Sequence, residues 1–128
     1  MKDIESIADI EMLVNTFYKK VEIDEKIGFF FTKIAKVEWK NHLPKMYKFW
    51  ETLLFGNVSY KGNPMAVHFP VNEMKAIEKH HFEHWLKVWT ETVQELFEGE
   101  IADLAIYKAT NISSLMAFKM ETARRLKG

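Results

Sequence analysis

The chain has 128 residues, of which 48% are hydrophobic, and its 18 basic and 18 acidic residues balance to zero net charge. This length fits one domain covering residues 1–128, and the apolar content lies well above that of disordered chains. The balanced charge does not indicate a nucleic-acid-binding surface. The absence of cysteine excludes disulfides, thiolate catalysis and iron–sulfur clusters.

The N-terminal residues 1–5 are largely charged and contain no apolar core of a secretory signal. No apolar run in the sequence approaches the roughly 20 residues that cross a bilayer. We therefore expect a cytoplasmic protein that has neither a membrane nor a nucleic acid as its partner.

The apolar spacing predicts four helices, and the first covers residues 4–23 with Asp3 as its candidate N-cap. Its apolar residues recur at steps of three and four and form one stripe: Ile10, Leu13, Val14, Phe17 and Val21. After this helix, Asp24 is expected to cap a short turn that ends near Gly28, before three phenylalanines at 29–31.

A second helix is predicted over residues 37–55. Proline is tolerated in a first turn but breaks a helix interior, so the regular part is expected to begin near Pro44. Gly56 is a natural stop. Residues 56–71 hold two glycines and two prolines and are predicted to be irregular, with at most one helical turn after Pro64. A loop of this length is usually functional or disordered.

The third helix is predicted over residues 72–97, with Asn72 as its cap and Gly99 as its stop, and the fourth over residues 101–126. No segment shows the period-two alternation of a strand. The sequence therefore predicts an all-α fold.

Three histidines of the third helix offer one candidate for chemistry. His80 and His84 are four residues apart, which is a metal-chelating spacing, but both point away from the apolar stripe and are interpreted as a solvated face. His81 lies near the edge of that stripe. Glu78-x-x-His81 is half of a di-iron signature that needs a second copy, and the chain has none. A non-haem metal centre of His80, His81 and His84 remains an alternative.

His42 lies on the apolar side of the second helix, and His68 lies in the irregular segment. Taken alone, a histidine on an apolar face is more often a satisfied core residue than a ligand. Tyr18 and Trp85 lie beside the apolar stripes of their helices, and each has an apolar ring with one polar tip. None of these four residues, taken alone, indicates a specific function.

Four motifs in series resemble the group III truncated haemoglobins. The first two are Leu13-Val14-x-x-Phe17-Tyr18-x-x-Val21-x-x-Asp24-x-x-x-Gly28-x-x-Phe31 and Trp39-x-x-His42-Leu43-Pro44-x-Met46-x-x-Phe49-Trp50. The last two are Tyr60-x-Gly62-x-Pro64-x-x-x-His68 and Phe82-x-x-Trp85-Leu86-x-x-Trp89. The resemblance covers nearly the whole chain and depends on the order and separation of the motifs.

The resemblance implies a truncated globin, a sandwich of two helices over two around haem b. His68 would be the proximal ligand to the iron, because a neutral imidazole is a natural haem ligand. The remaining roles that it implies are distal polar groups at Tyr18, His42 and Trp85, pocket lining by Phe31, Met46, Phe49 and Trp50, and a propionate contact from Lys45.

The implied function is binding of O₂, NO and CO, with NO dioxygenase or peroxidase-like activity as a further expectation and a reductase as a partner. Whether the protein is an enzyme stays open, as does whether His42 gates the pocket or binds the iron. The alternative from another class is a haem-free helical interaction or sensor domain on the same scaffold.

Overall fold

The computed structural model describes residues 1–57, 60 and 62–127, and every regular element in this part of the chain is helical. The elements are α1 (Ile7–Glu22), a π-helical turn (Phe30–Ile34), α2 (Trp39–Phe55), α3 (Pro64–Met74), α4 (Lys79–Leu96) and α5 (Glu100–Lys127). The prediction of an all-α fold is confirmed. The irregular segment predicted over 56–71 includes residues 58, 59 and 61, which lie outside the described part.

Two pairs of helices form the body of the fold. α1 packs on α2 in one pair, and α4 packs on α5 in the other. Because α1 also contacts α4 and α2 also contacts α5, the two pairs lie one over the other, while α3 packs against α5. Within the described residues, no helix is both long enough and apolar enough to cross a membrane.

Trp89 lies at the centre of the core and has no exposed surface. Its ring stacks on Trp50 with centroids 4.3 Å apart, and its indole N–H donates to the Ala105 carbonyl at 3.1 Å. Phe17 meets the same ring edge-on at 5.1 Å. The stripe predicted for the first helix is buried at every position: Ile10, Leu13, Val14, Phe17 and Val21. Residues from α1, α2, α4 and α5 thus meet around one tryptophan.

The N-cap of α1 is Ser6, so the prediction that Asp3 caps the first helix is wrong. The Ser6 hydroxyl accepts from the N–H of Asp9 at 3.3 Å. The Asp3 carboxylate instead accepts from the N–H groups of Ile101 and Ala102, at 2.9 and 2.8 Å, where α5 begins. A carboxylate satisfies the free N–H groups of whichever helix start lies beside it in space, and sequence distance does not limit this choice.

Gly99 makes room for this long-range cap. Its φ of +145° lies in the region that glycine adopts far more readily than other residues. A Cβ at this position would also overlap the carboxyl group of Asp3. The predicted role of Gly99 as the stop of the preceding helix is therefore secondary, since α4 already ends at Leu96.

Replacing Asp3 by alanine should lower the free energy of unfolding by about 1–2 kcal/mol, because two N–H groups of α5 lose their acceptor. Desolvation acts to raise the pKa of Asp3, but hydrogen bonds from the N–H groups of Ile101, Ala102 and Ile4 bring it below its ordinary value of 3.8. A depressed carboxyl pKa adds stability above the unfolded pKa, and this contribution disappears as the pH falls through the folded one.

Urea unfolding at pH 7 and pH 3 measures both effects. The difference between the wild type and Asp3→Ala should be present at pH 7 and should shrink at pH 3. Asp3→Asn is the matched control, because it keeps an acceptor oxygen but removes the titrating charge. Equal stability of the wild type and Asp3→Ala at pH 7 would contradict the cap.

Residues 64–74 form a helix, which corrects the prediction of an irregular segment with at most one helical turn. Pro64 stands at the first helical position, where its missing N–H costs nothing. The Asn63 side chain caps this start by accepting from the N–H of Ala66 at 3.1 Å. Only Pro70 lies in the helix interior and removes a backbone hydrogen bond. A proline-rich stretch can therefore still hold three turns of helix.

The start of α4 also differs from the prediction, because Asn72 lies inside α3 and does not cap the next helix. α4 begins after Glu78, whose carboxylate accepts from the backbone N–H of His81. The His81 ring accepts in turn from the N–H of Glu78 at 2.9 Å. This reciprocal pair fixes the helix start several residues later than residue 72.

α2 begins at Trp39 and continues through Pro44, so the proline does not mark the start of the regular helix. The N–H of His42 donates to the Glu38 carbonyl at 2.9 Å within the first turn. His42 therefore lies near the entrance of its helix, as predicted. Gly56 ends α2 with a left-handed φ of +75°, which confirms the predicted stop.

Candidate functional site

Four rings from three elements meet at one end of the α1–α2 pair. The Tyr18 ring of α1 lies 5.0 Å from the imidazole of His42 and 5.8 Å from the ring of Phe31, in the π-helical turn. Trp39 lies 5.8 Å from His42 and stacks on Phe31 at 6.1 Å. We call Tyr18, Phe31, Trp39 and His42 the ring cluster.

His42 is the polar centre of the ring cluster. Its Nε2 atom is buried and has no hydrogen-bond partner among the described residues. Burial lowers the pKa of His42 to about 4, and the charges of Lys45 and His68 act in the same direction. The imidazole is therefore neutral at pH 7. A buried polar atom without a partner is rare and calls for a ligand or a functional explanation.

His68 lies on α3 and is half-buried. Its ring is 6.5 Å from that of Phe82 on α4, and its charge acts on the pKa of His42. The two histidines that the sequence singled out thus belong to different helices, His42 to α2 and His68 to α3.

Trp85 is separated from Tyr18 by a single ring. Phe17 lies 4.9 Å from Tyr18 on one side and 5.9 Å from Trp85 on the other. Burial raises the pKa of the Tyr18 phenol, which therefore keeps its proton and remains a hydrogen-bond donor. The indole of Trp85 can only donate. Tyr18 and Trp85 thus provide two hydrogen-bond donors in or beside the ring cluster that contains His42.

The residues expected to line a pocket divide into two groups. Phe31 belongs to the ring cluster, and Met46 and Phe49 are half-buried along α2, while Lys45 is exposed. Trp50 is 2% exposed and stacks on the central tryptophan, so the structure places it in the core. Sequence reasoning assigned no role to Trp39, although its position three residues before His42 puts both on one helix face.

The family model for Bacterial-like globin matches residues 3–120. The group 3 truncated haemoglobin of Campylobacter jejuni is 31% identical over 108 residues, which cover 82% of this chain and 83% of that protein. The chain is a group III truncated haemoglobin. Its fold agrees, since the crystal structure of a group III truncated haemoglobin from Campylobacter jejuni superimposes with a TM-score of 0.80 at 27% identity, over 94% of this chain and 95% of that one.

Membership of this family makes the protein a haem-binding globin. The resemblance drawn from the four motifs is confirmed, and so is the fold that it implied. The residues that the structure brings together fit the cofactor. The ring cluster contains a neutral imidazole whose buried Nε2 has no hydrogen-bond partner among the described residues, and these surroundings suit a flat apolar ring with a polar centre.

The histidines of α4 have other partners in this truncated haemoglobin. His80 is an exposed residue, as the solvated-face interpretation predicts, with 66% of its side chain accessible. That interpretation is wrong for His84, whose side chain is only 17% accessible and whose ring is hydrogen-bonded to the Asp24 carboxylate at 2.7 Å. The partner is 60 residues away in the sequence, so periodicity along one helix gave no sign of it.

The alternative metal centre of His80, His81 and His84 is not assembled in the described residues. Glu78, His80 and His81 do offer ligand atoms within 4.8 Å of one another. However, the Nδ1 lone pair of His81 already accepts from the N–H of Glu78, so its other ring nitrogen carries the proton in the neutral form. His84 is engaged with Asp24. These hydrogen bonds explain the positions of His81 and His84 without a metal, and His80 is exposed.

Proposed function

We propose that this truncated haemoglobin holds haem b through His68 and binds diatomic ligands, O₂, NO and CO, on the side where Tyr18, His42 and Trp85 lie. The observation that carries the proposal is the Nε2 of a neutral His42, which is buried in the ring cluster without a hydrogen-bond partner in the described part of the chain. When bound, haem supplies an iron with one open coordination position. One domain of residues 1–128, in the cytoplasm, is part of the same proposal.

His68 suits the proximal role because it lies on a different helix from the distal candidates. Phe31, Met46 and Phe49 are half-buried apolar side chains that would contact the porphyrin faces, and Lys45 is an exposed cation able to reach a propionate. Trp50 would support the pocket indirectly, because it lies in the core. The set supplies an iron ligand, apolar walls and one charge, which is what haem b requires.

Tyr18 and Trp85 would stabilise a diatomic ligand by donating hydrogen bonds to it. Tyr18 is buried and Trp85 is half-buried, and hydrogen bonds are stronger in such surroundings than in solvent. His42, held neutral by burial, would either close the entrance of the site or bind the iron itself. The same donors would serve NO dioxygenase or peroxidase-like turnover, with an electron donor as partner.

Absorption spectra of the purified protein test the proposal. The expected result is a Soret band that shifts on reduction with dithionite and again on addition of CO. Rates of NO or hydrogen peroxide consumption then distinguish ligand binding from turnover. A colourless protein that takes up no added haemin would overturn the proposal and favour the haem-free interaction domain.

Tyr18→Phe and Trp85→Phe should each speed O₂ release, by roughly ten- to a hundredfold, because each removes one hydrogen bond to the ligand. Stopped-flow displacement of O₂ by CO measures the rate. Tyr47→Phe is a matched control, since its hydroxyl is hydrogen-bonded to Asn15 between α1 and α2 and should leave the rate unchanged. Wild-type O₂ release in both Tyr18→Phe and Trp85→Phe would remove these residues from the distal role.

A further inference from the structure

A buried polar side chain ties α3 to the rest of the molecule. Among its described side chains, from residue 66 to 74, Asn72 is the one in the buried class, with 4% of its surface exposed. Val67 and Met74 are 63% and 68% exposed. Phe69 and Val71 are partly buried and pack against a cluster of buried apolar residues from neighbouring elements. The most deeply buried of these described side chains is therefore a polar one, which needs hydrogen-bond partners.

The side chain of Asn72 is satisfied by three residues from two segments, α5 and the stretch that leads into α4. Its Oδ1 accepts from the N–H of Ile77 at 2.9 Å and from Nη1 of Arg124 at 2.7 Å. Its Nδ2 donates to the carbonyl of Met120 at 3.1 Å. Arg124 also donates to the carbonyl of Ile77 at 2.7 Å. We call Asn72, Ile77, Met120 and Arg124 the Asn72 clamp.

We propose that Asn72 is a positioning residue for His68, through which the clamp fixes the direction of the proximal imidazole. The proposal rests on the proposed function, in which His68 binds the haem iron. Asn72 lies four residues after His68 on the same helix, so the two side chains leave the same face one turn apart. A rotation or shift of α3 that releases Asn72 must also move His68.

The local backbone gives the clamp its importance. Pro70 stands between His68 and Asn72 and has no N–H to donate, so this turn of α3 lacks one of its backbone hydrogen bonds. The clamp replaces that restraint by tying the end of α3 to α5 and to the segment that leads into α4. α4 carries Phe82, whose ring lies 6.5 Å from His68. The hydrogen bonds of the clamp thereby fix α3 relative to α4 and α5, and with them the position of Phe82 beside His68.

Asn72→Leu tests the proposal, because leucine has a similar branched shape but makes none of the three hydrogen bonds. The iron–histidine stretching band of the ferrous haem protein, measured by resonance Raman spectroscopy, should shift and broaden. Haemin transfer to an excess of an apoglobin acceptor should speed up roughly tenfold, the lower end of the effect expected for outer-shell partners of a metal ligand. A purely structural role would lower the unfolding midpoint but leave the band in place.

Two further variants make the test specific. Asn72→Asp keeps both acceptor contacts and loses only the donor to Met120, so its band should lie between those of the wild type and Asn72→Leu. Glu73→Gln is the matched control, because it breaks an exposed ion pair between the same two helices, Lys127 with Glu73, without touching the clamp. Its band and haemin transfer rate should equal those of the wild type.

Wild-type bands in Asn72→Leu and in Arg124→Met, which opens the clamp from α5, would overturn the proposal. If Asn72→Leu does not fold, Asn72→Asp and Arg124→Met decide the matter alone. A parallel His68→Ala variant distinguishes the proximal role of His68 from the positioning role of Asn72. Full haem retention in that variant refutes the proximal role itself, whereas haem loss there combined with unchanged bands in the clamp variants refutes only the role of Asn72.

Discussion

Haem should be lost from a His68→Ala variant, with the dissociation rate rising by more than roughly a hundredfold. Loss of an outer-shell partner already costs about 10–100-fold in metal affinity, and loss of the direct ligand should exceed that. His42 belongs to α2, on the side assigned to the diatomic ligand, so its imidazole should not restore haem binding to the wild-type level. The measurement is the Soret absorbance that remains after gel filtration of the reconstituted variant.

The matched control for this prediction is His80→Ala. His80 is an exposed histidine on α4, so its loss should leave the Soret band unchanged. Imidazole added to His68→Ala should restore part of the absorbance, because it can occupy the space of the lost side chain. If His68→Ala keeps its haem as well as His80→Ala does, the proximal ligand is not His68.

Trp89→Ala should lower the free energy of unfolding by about 3–5 kcal/mol, the largest loss of stability expected from one substitution here. The side chain is fully buried, and its removal takes away the stacked partner of Trp50 as well as the hydrogen bond to the Ala105 carbonyl. That carbonyl then stays buried without its side-chain donor. Urea unfolding monitored by circular dichroism gives the change directly.

One further substitution at Trp89 separates the contributions of the aromatic ring and the N–H group, and one substitution elsewhere serves as a control. Trp89→Phe keeps an aromatic face toward Trp50 but has no N–H, so its loss should be clearly smaller than that of the alanine variant. Tyr107→Ala on α5 is the exposed control, since 63% of Tyr107 is accessible and its loss should stay within about 0.5 kcal/mol. A Trp89→Ala variant as stable as Tyr107→Ala would show that the core is not centred on this tryptophan.

Helix content was predictable from the sequence wherever the apolar period was uninterrupted. α1, α4 and α5 follow such stripes, and their extents differ from the prediction mainly at their starts. α3 is longer than predicted, because the two glycines and two prolines of residues 56–71 indicated an irregular segment with at most one helical turn after Pro64. Pro64 stands at a first helical position where it is favoured, and the Asn63 cap stabilises that end.

The candidate site was predictable only to the extent that its residues share helix faces. Tyr18 and His42 meet because each lies beside the apolar stripe of its own helix. Their roles, like that of His68, came from the family resemblance and could not come from periodicity. Contacts between distant segments gave no local signal, as the pairs His84–Asp24 and Asn72–Arg124 illustrate. Such contacts depend on the packing of whole helices.

The cap that Asp3 forms on α5 joins residues 98 and 99 positions apart in the sequence. Closing so long a loop costs entropy that only the assembled helices can repay, so this contact should form late in folding. A contact absent from the transition state acts on the unfolding rate and hardly on the folding rate. The N-terminal segment should therefore slow unfolding while leaving the folding rate almost unchanged.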